Sequence, residues 1–355
     1  MRDTVTTERK TVVSVEGERF RINANLTYPG RHWKDIKVEG CLINSRMVQA
    51  TFDDLNPETV GMWNGPDGKW DAEANTDRFL AMLPEYREAG LIGLTVNFQG
   101  GSPQGYSKEQ PWHNSAFDAD GNLRDNYAAR MRRVIDRADE LGMVVILGFF
   151  YFGQDQRLRD EKAIERACRN ATDWICALGY TNVIVEIGNE IDLRHYEHDI
   201  IGPDRCPELI RLVQRESTGR LESSLGRLLV GTSFCGGKVP SEPVAAVSDV
   251  LLIHGNHQDA EALARLIEKT RSLSEYHGQP IVVNEDDHFE FEKEDCNFLT
   301  ALRHGASWGY FDYRMKGESF HEGYQSVPTD WAVSSMRKRS FFNLVSEMTG
   351  SEKRF

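Results

Sequence analysis

The sequence predicts a single α/β domain in which eight parallel strands close into a barrel. Eight short apolar segments recur along the chain of 355 residues, and an amphipathic helix follows most of them. The segments are continuously apolar instead of alternating, as expected for parallel strands that are covered on both faces. Glycine stands between three of the helices and the next strand, at Gly90, Gly142 and Gly179, where it can end a helix in the left-handed conformation. Eight such units are typical of a (β/α)8, or TIM, barrel.

The predicted strands follow one another without a linker, a low-complexity segment or a block of charge. They are Leu42–Ala50, Leu91–Phe98, Met143–Phe152, Val183–Gly188, Leu228–Phe234, Val250–His254, Pro280–Asn284 and Ser307–Asp312. The helical spacing of apolar residues is clearest at Thr76–Ala89, Leu123–Leu141, Ala163–Leu178, Ala260–Glu275 and Trp331–Met348. We therefore expect one barrel domain over residues 1–355.

A β-hairpin is predicted before the first barrel strand. Residues from Thr11 to Tyr28 alternate β-branched and polar side chains on either side of Glu16-Gly17-Glu18. Gly17 can take the left-handed turn position that such a hairpin needs. We expect this hairpin and its lead-in, residues 1–36, to cover the floor of the barrel.

The composition excludes several classes of partner. A net charge of -13 would repel a nucleic-acid backbone or an anionic membrane surface, so neither is an expected partner. No apolar run approaches the roughly 20 residues needed to span a bilayer, and the N-terminus lacks the apolar stretch of a secretory signal. The sequence as given predicts a cytoplasmic protein, with secretion possible if a signal peptide has been removed. Six cysteines without metal-ligand spacing predict free thiols, and the sequence favours no oligomeric state.

The fourth and seventh predicted strands both end on a glutamate. Asn189-Glu190 follows the fourth strand, and Glu285 follows the seventh. Because the carboxyl ends of barrel strands meet at one face, we expect the two carboxylates to lie close together. Cleavage of a glycosidic bond needs one carboxylic acid to protonate the leaving oxygen and a second carboxylate to attack the anomeric carbon or to activate water. The pair therefore predicts a glycosidase, while roles as helix caps or solvated loop carboxylates stay open.

The layout resembles glycoside hydrolase clan A, the retaining TIM-barrel glycosidases, and is most similar to family five. The matching segments are Glu186-Ile187-Gly188-Asn189-Glu190, Glu285 and Trp308-Gly309-Tyr310-Phe311. The resemblance implies that Glu190 is the acid/base, Glu285 the nucleophile, and Asn189 a donor to the 2-hydroxyl of the sugar. It also implies a carbohydrate substrate, retention of anomeric configuration, and a mechanism without a cofactor.

The sequence departs from the family-five pattern on strands two, three and six. The second strand lacks the Arg, and the third the His, that the family usually shows. Strand six continues as His254-Gly255-Asn256-His257, so Asn256 stands where the resemblance leads one to expect a Tyr. We expect His257 to serve as the partner of Glu285 in its place.

Further side chains at the predicted active face are candidates for sugar binding. Polar groups at strand ends can bind hydroxyls, and aromatic rings can stack on the apolar face of a sugar. The predicted sugar-binding residues are Asn189, His257, Asp54, Gln99, Tyr310, Phe311 and Trp112. Two long loops, Asp53–Asp71 and Gln99–Asn122, carry Trp63, Trp70, Tyr106 and Trp112 and are expected to shape the pocket. Asp residues also open turns for structural reasons, and Trp308 on strand eight is more typical of core.

Two other functions remain open at this point. The side chains of Asp53, His254, His257 and Asp287 could gather a divalent ion, as in metal-dependent barrel hydrolases. Against this, strand one lacks a His-x-His pair, and neither Lys nor His ends strand four. A barrel that binds sugar without cleaving it is the third possibility. The main prediction is a retaining hydrolase of a β-linked glycoside or oligosaccharide, formed by one catalytic domain that uses no metal.

Overall fold

The computed structural model describes residues 9–65, 68–107 and 109–355. Pro66, Asp67 and Lys108 in the two long loops, and the first eight residues of the predicted lead-in, lie outside the described residues. The hairpin strands β1 to β3 span Val13–Glu16, Arg19–Ile22 and Asn25–Leu26, and β4 and β5 are the short pair His32–Trp33 and Ile36–Lys37. The barrel strands β6 to β13 are Asn44–Arg46, Gly93–Asn97, Val144–Phe150, Val183–Gly188, Leu229–Gly231, Leu251–His254, Ile281–Asp286 and Ser307–Tyr310.

All eight predicted barrel strands are present in one parallel sheet. Their order around the sheet is β10-β9-β8-β7-β6-β13-β12-β11, so neighbours along the chain are neighbours in space. A parallel bridge between Ser233 and Leu252 joins β10 to β11 and brings the two ends of the sheet together. The predicted (β/α)8 barrel is therefore confirmed.

The helices lie outside the sheet, and five of them were predicted. Helices α1 to α8 span Ala72–Glu88, Asp125–Glu140, Glu161–Ala177, Cys206–Ser217, Glu242–Ala245, Ala260–Arg271, Asn297–Arg303 and Met336–Thr349. The predictions missed α4, α5 and α7; the second residue of each of the first two is a proline, and α5 is a single turn. Helix α8 begins five residues later than predicted, because Ser335 caps its N-terminus by accepting from the backbone N–H of Lys338.

The hairpin covers the floor of the barrel as predicted. Val13 and Phe20 pack in one apolar cluster with residues at the N-terminal ends of the barrel strands, including Leu42, Ile92 and Val282. The turn lies at Gly17, which has a φ of +56°. With its floor closed, the barrel leaves its carboxyl-terminal face for a binding site. Among the described residues, none of the helices is both long and apolar enough to cross a membrane.

Candidate active site

The two predicted glutamates lie at the carboxyl ends of β9 and β12, on the same face of the barrel. Glu285 belongs to β12 and is buried, whereas Glu190 follows β9 and its side chain is 14% exposed. The backbone at Glu190 has a φ of +51°, in the left-handed region, and its N–H donates to Ser233 Oγ at 3.0 Å. The chain therefore leaves the strand direction at Glu190 and turns the carboxylate towards β11.

A buried histidine lies between the two carboxylates. His254, the last residue of β11, places Nδ1 2.9 Å from Glu190 Oε1 and 3.8 Å from Glu285 Oε2. One carboxylate oxygen of each glutamate and one ring nitrogen of His254 all lie within 4.8 Å of one another. Burial alone would lower the pKa of His254, but the negative charges of Glu285 and Glu190 outweigh it and raise the pKa above its ordinary value.

A buried arginine that the sequence analysis missed binds the nucleophile candidate. Arg46, the last residue of β6, places Nε 2.8 Å from Glu285 Oε2, and its Nη2 donates to Asn189 Oδ1 at 2.8 Å. Burial would lower the pKa of Arg46, but the charges of Glu285 and Glu186 raise it. The resemblance placed an arginine on the second strand, and here the first barrel strand supplies one. Three consecutive polar residues, Asn44-Ser45-Arg46, lie within the predicted apolar strand Leu42–Ala50, and they were the sequence signal that could have revealed this arginine.

Asn256, which follows the sixth barrel strand β11, is a hydrogen-bond donor to Glu285. Its Nδ2 donates to Glu285 Oε1 at 2.6 Å and so takes the role that the sequence predicted for His257. His257 instead has a φ of +60°, a side chain that is 71% exposed, and Nδ1 3.4 Å from Asp287 Oδ2. The expectation that His257 is the partner of Glu285 is wrong, because the backbone turn points its ring towards the rim of the cleft.

The glutamates open into a cleft with a cavity volume of about 580 Å³, within the range of small-molecule sites. Aromatic rings form much of its wall, namely Tyr106, Tyr151, Phe152 and Phe311. His257 and Phe311 are the predicted sugar-binding residues that line it with the two glutamates. Asn189 is buried beside Glu190, and its amide orientation is fixed because its oxygen accepts from Arg46.

Two predicted sugar-binding residues hold the first long loop together and do not face the cleft. Asp54 Oδ2 accepts from Trp63 Nε1 at 2.7 Å and from Thr59 Oγ1 at 2.6 Å, and its Oδ1 accepts from the backbone N–H of His113. The ring of Trp112 packs edge-on against Trp63 at 5.5 Å. These contacts occupy the polar atoms of Asp54 and both tryptophan rings, so the prediction that Asp54 and Trp112 meet the sugar is corrected.

Two others point into the protein. Gln99 Nε2 donates to Ser115 Oγ at 3.0 Å and to the backbone oxygen of Gln154, which ties the second long loop to the loop after β8. Tyr310 is buried, and its ring lies 4.5 Å from that of Phe341 in α8. Alternation along β13 explains this placement, because Tyr310 faces the helices while Phe311 reaches the cleft.

The four residues of the predicted metal site do not converge. Asp53 accepts from Trp70 and pairs with Arg130 at 3.3 Å, in the first long loop. His254 lies between the glutamates, whereas His257 and Asp287 pair with each other at the rim. The proposed set of metal ligands is therefore corrected, since its members bind other groups of the protein.

No protein-family model and no curated protein sequence matches this chain. Solved structures do match over most of its length. An endo-1,4-β-mannanase from Rhizomucor miehei aligns with a TM-score of 0.57 at 10% identity, covering 96% of this chain and 100% of that one. A GH5-4 broad-specificity endoglucanase from Clostridium longisporum aligns with a TM-score of 0.55 at 11% identity, covering 87% and 96%.

Longer proteins are also similar. A family 5 glycoside hydrolase from Bacteroides vulgatus aligns with a TM-score of 0.53 at 14% identity, covering 90% of this chain, and this chain spans 66% of that protein's length. At these identities the likenesses establish the barrel fold. The structures with which the chain shares that fold include glycoside hydrolases of family 5, as the resemblance led us to expect.

Proposed function

We propose that the protein is a retaining glycoside hydrolase, with Glu285 as nucleophile and Glu190 as acid/base. The observation that carries the proposal is the facing pair of carboxylates, whose nearest oxygens lie within 4.8 Å. Retaining enzymes hold their two carboxyl groups about 5–5.5 Å apart, whereas inverting enzymes leave about 6.5–9.5 Å for a water molecule. The short separation favours direct attack by a carboxylate. The glycoside hydrolases that share the fold support the same reaction class.

The surroundings of the two carboxylates support this division of roles. Glu285 is paired with Arg46 and accepts from Asn256, and both contacts stabilise a negative charge on a nucleophile. Glu190 is the more exposed of the two and contacts His254, a group that can exchange protons. An acid that must give up a proton and later regain one from water needs this access.

The proposed reaction has two steps. Glu285 attacks the anomeric carbon, the glycosidic C–O bond breaks, and Glu190 gives its proton to the leaving oxygen. Glu190 then takes a proton from water, which attacks the glycosyl ester and releases Glu285. Asn189 lies beside Glu190 with its amide oxygen engaged by Arg46, an orientation that leaves its NH₂ group to donate to the 2-hydroxyl of the sugar.

We propose a β-linked glycoside or oligosaccharide as substrate. The cleft combines aromatic rings, which can stack on sugar rings, with buried carboxylate and amide groups that can bind hydroxyls. A mannanase and an endoglucanase are among the proteins with this fold, and both kinds of β-linked chain belong in the first substrate panel.

The test is a screen of the wild type, Glu190→Ala and Glu285→Ala against aryl β-glycosides and oligosaccharides of β-glucan, mannan and galactan. Glu290→Ala is the matched control, because Glu290 is exposed beyond the end of β12. We expect turnover by the wild type and the control, loss in both active-site variants, and a first product with retained configuration by proton NMR. Activity that survives in both variants, or that a chelator abolishes, would refute the proposal.

A further inference from the structure

We infer that the cleft is a blind pocket for the non-reducing end of a saccharide chain, so that the enzyme removes terminal sugars in sequence. The inference rests on the proposed function and adds the direction in which the substrate enters. It follows from contacts that close one side of the cleft and leave the other side open.

Tyr106 closes the cleft from the loop after β7. Its hydroxyl donates to Asp287 Oδ2 at 2.8 Å, two residues beyond the proposed nucleophile. Its ring centroid lies 5.1 Å from that of His257 and 5.6 Å from that of Phe311. Burial raises the pKa of Tyr106, and the charges of Asp287 and Glu285 raise it further, so the hydroxyl keeps its proton and continues to donate.

The same loop is joined to the loop after β13 by backbone hydrogen bonds. Gln104 and Ser326 form an antiparallel bridge, and the N–H of Val327 donates to the oxygen of Pro103 at 2.8 Å. Backbone pairing holds a loop more firmly than side-chain contacts alone, because two main chains must move apart together for the wall to open. The two loops therefore form one continuous wall.

The wall covers a defined part of the barrel rim. Tyr106 contacts the loops after β11, β12 and β13, so the closed side runs from β11 through β13 and β6 to β7 in the sheet order. The other side belongs to β8, β9 and β10, and Phe152, Leu193 and Gly236 line the cleft there. Leu193 also lines a neighbouring groove of about 550 Å³, which offers a path for a chain.

The two glutamates lie on opposite sides of this division. Glu285 extends from β12 on the closed side, and Glu190 follows β9 on the open side. The sugar whose anomeric carbon Glu285 attacks must therefore sit against the wall. The leaving oxygen, which takes its proton from Glu190, faces the open side with the rest of the chain attached. A further unit at the non-reducing end of that sugar would run into the wall that Tyr106 and its loop form.

The experiment follows hexasaccharides of β-1,4-linked glucose and of β-1,4-linked mannose that carry a fluorescent label at the reducing end. Aryl β-glycosides of one and of two sugars are assayed beside them. We expect free monosaccharide and a labelled pentasaccharide as the first products, shortening by one unit at a time. We also expect kcat/KM for the one-sugar aryl glycoside to equal or exceed that for the two-sugar compound.

Two variants test the wall itself. Tyr106→Phe removes the hydrogen bond to Asp287 and keeps the ring, and Tyr106→Ala removes both. Phe320→Ala is the control, because Phe320 is an aromatic ring of similar exposure outside the cleft, 38% against 45% for Tyr106. We expect disaccharide among the first products of Tyr106→Ala, little change in Tyr106→Phe, and the wild-type product order in the control.

The outcomes separate this inference from the proposed function. Early release of short labelled products by the wild type means internal cleavage, which overturns the blind pocket and leaves the glycosidase intact. An unchanged product order in Tyr106→Ala, with thermal unfolding like that of the wild type, also overturns the role of the wall. If the wild type cleaves neither oligosaccharides nor aryl glycosides, both proposals fail.

Discussion

Replacing Arg46 with methionine should both destabilise and inactivate the protein, because both effects follow from the loss of its ion pair with Glu285. The guanidinium is fully buried, pairs with Glu285 at 2.8 Å and donates to Asn189 at 2.8 Å. Methionine fills a similar volume without charge, so it leaves the buried Glu285 carboxylate without the guanidinium that pairs with it. Removing one partner of a buried ion pair costs about 3–5 kcal/mol, a large share of the roughly 5–15 kcal/mol that stabilises a typical native protein.

The assay is urea unfolding followed by tryptophan fluorescence, together with kcat on the best substrate of the panel. The double variant Arg46→Met/Glu285→Gln removes both charges. We expect its loss in free energy of unfolding to be at least about 2 kcal/mol smaller than the sum of the losses in the two single variants. Arg130→Met is the control. Arg130 is also buried, but its partners Asp53 and Glu73 are partly exposed and can be hydrated, so we expect a smaller loss of stability and unchanged kcat.

Two results would refute this reasoning. If Arg46→Met lowers the free energy of unfolding by less than about 1 kcal/mol, the buried Glu285 carboxylate does not depend on the arginine for stability. Additive losses in the double variant would mean that the two charges do not interact. An Arg46→Lys variant separates charge from geometry, because lysine keeps the charge but lacks the fork that reaches Glu285 and Asn189 together.

Three further predictions concern single side chains. Asn256→Ala removes a donor to Glu285, and a hydrogen bond to a charged group is worth about 1.5–3 kcal/mol, so kcat/KM should fall about 10- to 150-fold in steady-state assays; an unchanged value would contradict this. Because the pKa of His254 is raised in the folded protein, its charge stabilises the fold below about pH 6.5, and this stabilisation is lost as pH rises through the folded-state pKa. The stability difference between wild type and His254→Gln should therefore shrink with rising pH in urea unfolding, and a constant difference would argue against the charged form. Asp54→Asn should lower the free energy of unfolding by about 1–3 kcal/mol through its bond to Trp63 and leave KM unchanged, whereas a raised KM would restore the sugar-binding role.

Local signals were sufficient to predict the barrel. Continuous apolar runs mark buried parallel strands, and Gly90, Gly142 and Gly179 end helices with φ values of +99°, +71° and +67°. The short helices were missed because α5 and α7 have four and seven residues, too few to show a helical period. The two glutamates were found because each ends an apolar strand, and strand ends meet at one face of a barrel.

The rest of the site depends on contacts between residues far apart in the sequence, which no local sequence pattern predicts. Arg46 and Glu285 are brought together by closure of the barrel, and β6 has three residues, each of them polar. Asn256 and His257 follow an irregularity in the pairing of β11 with β12 at Ile253 and His254, and the left-handed backbone at His257 turns its ring away from Glu285. Polar side chains of the long loops bind other groups of the protein, so composition alone could not show which of these side chains face a ligand.

The closed floor of the barrel means that the N-terminal hairpin must wait, during synthesis, for a strand that is made much later. Phe20 reaches its final neighbours only when the strand that contains Val282 has been synthesised, about 260 residues later. At a synthesis rate of roughly 5–20 residues per second, the hairpin waits on the order of 13–50 s for that strand. During this interval its apolar face, with Val13 and Phe20, has no barrel to cover. A chaperone that shields short apolar hairpins during translation should therefore raise the yield of this protein more than its final stability implies.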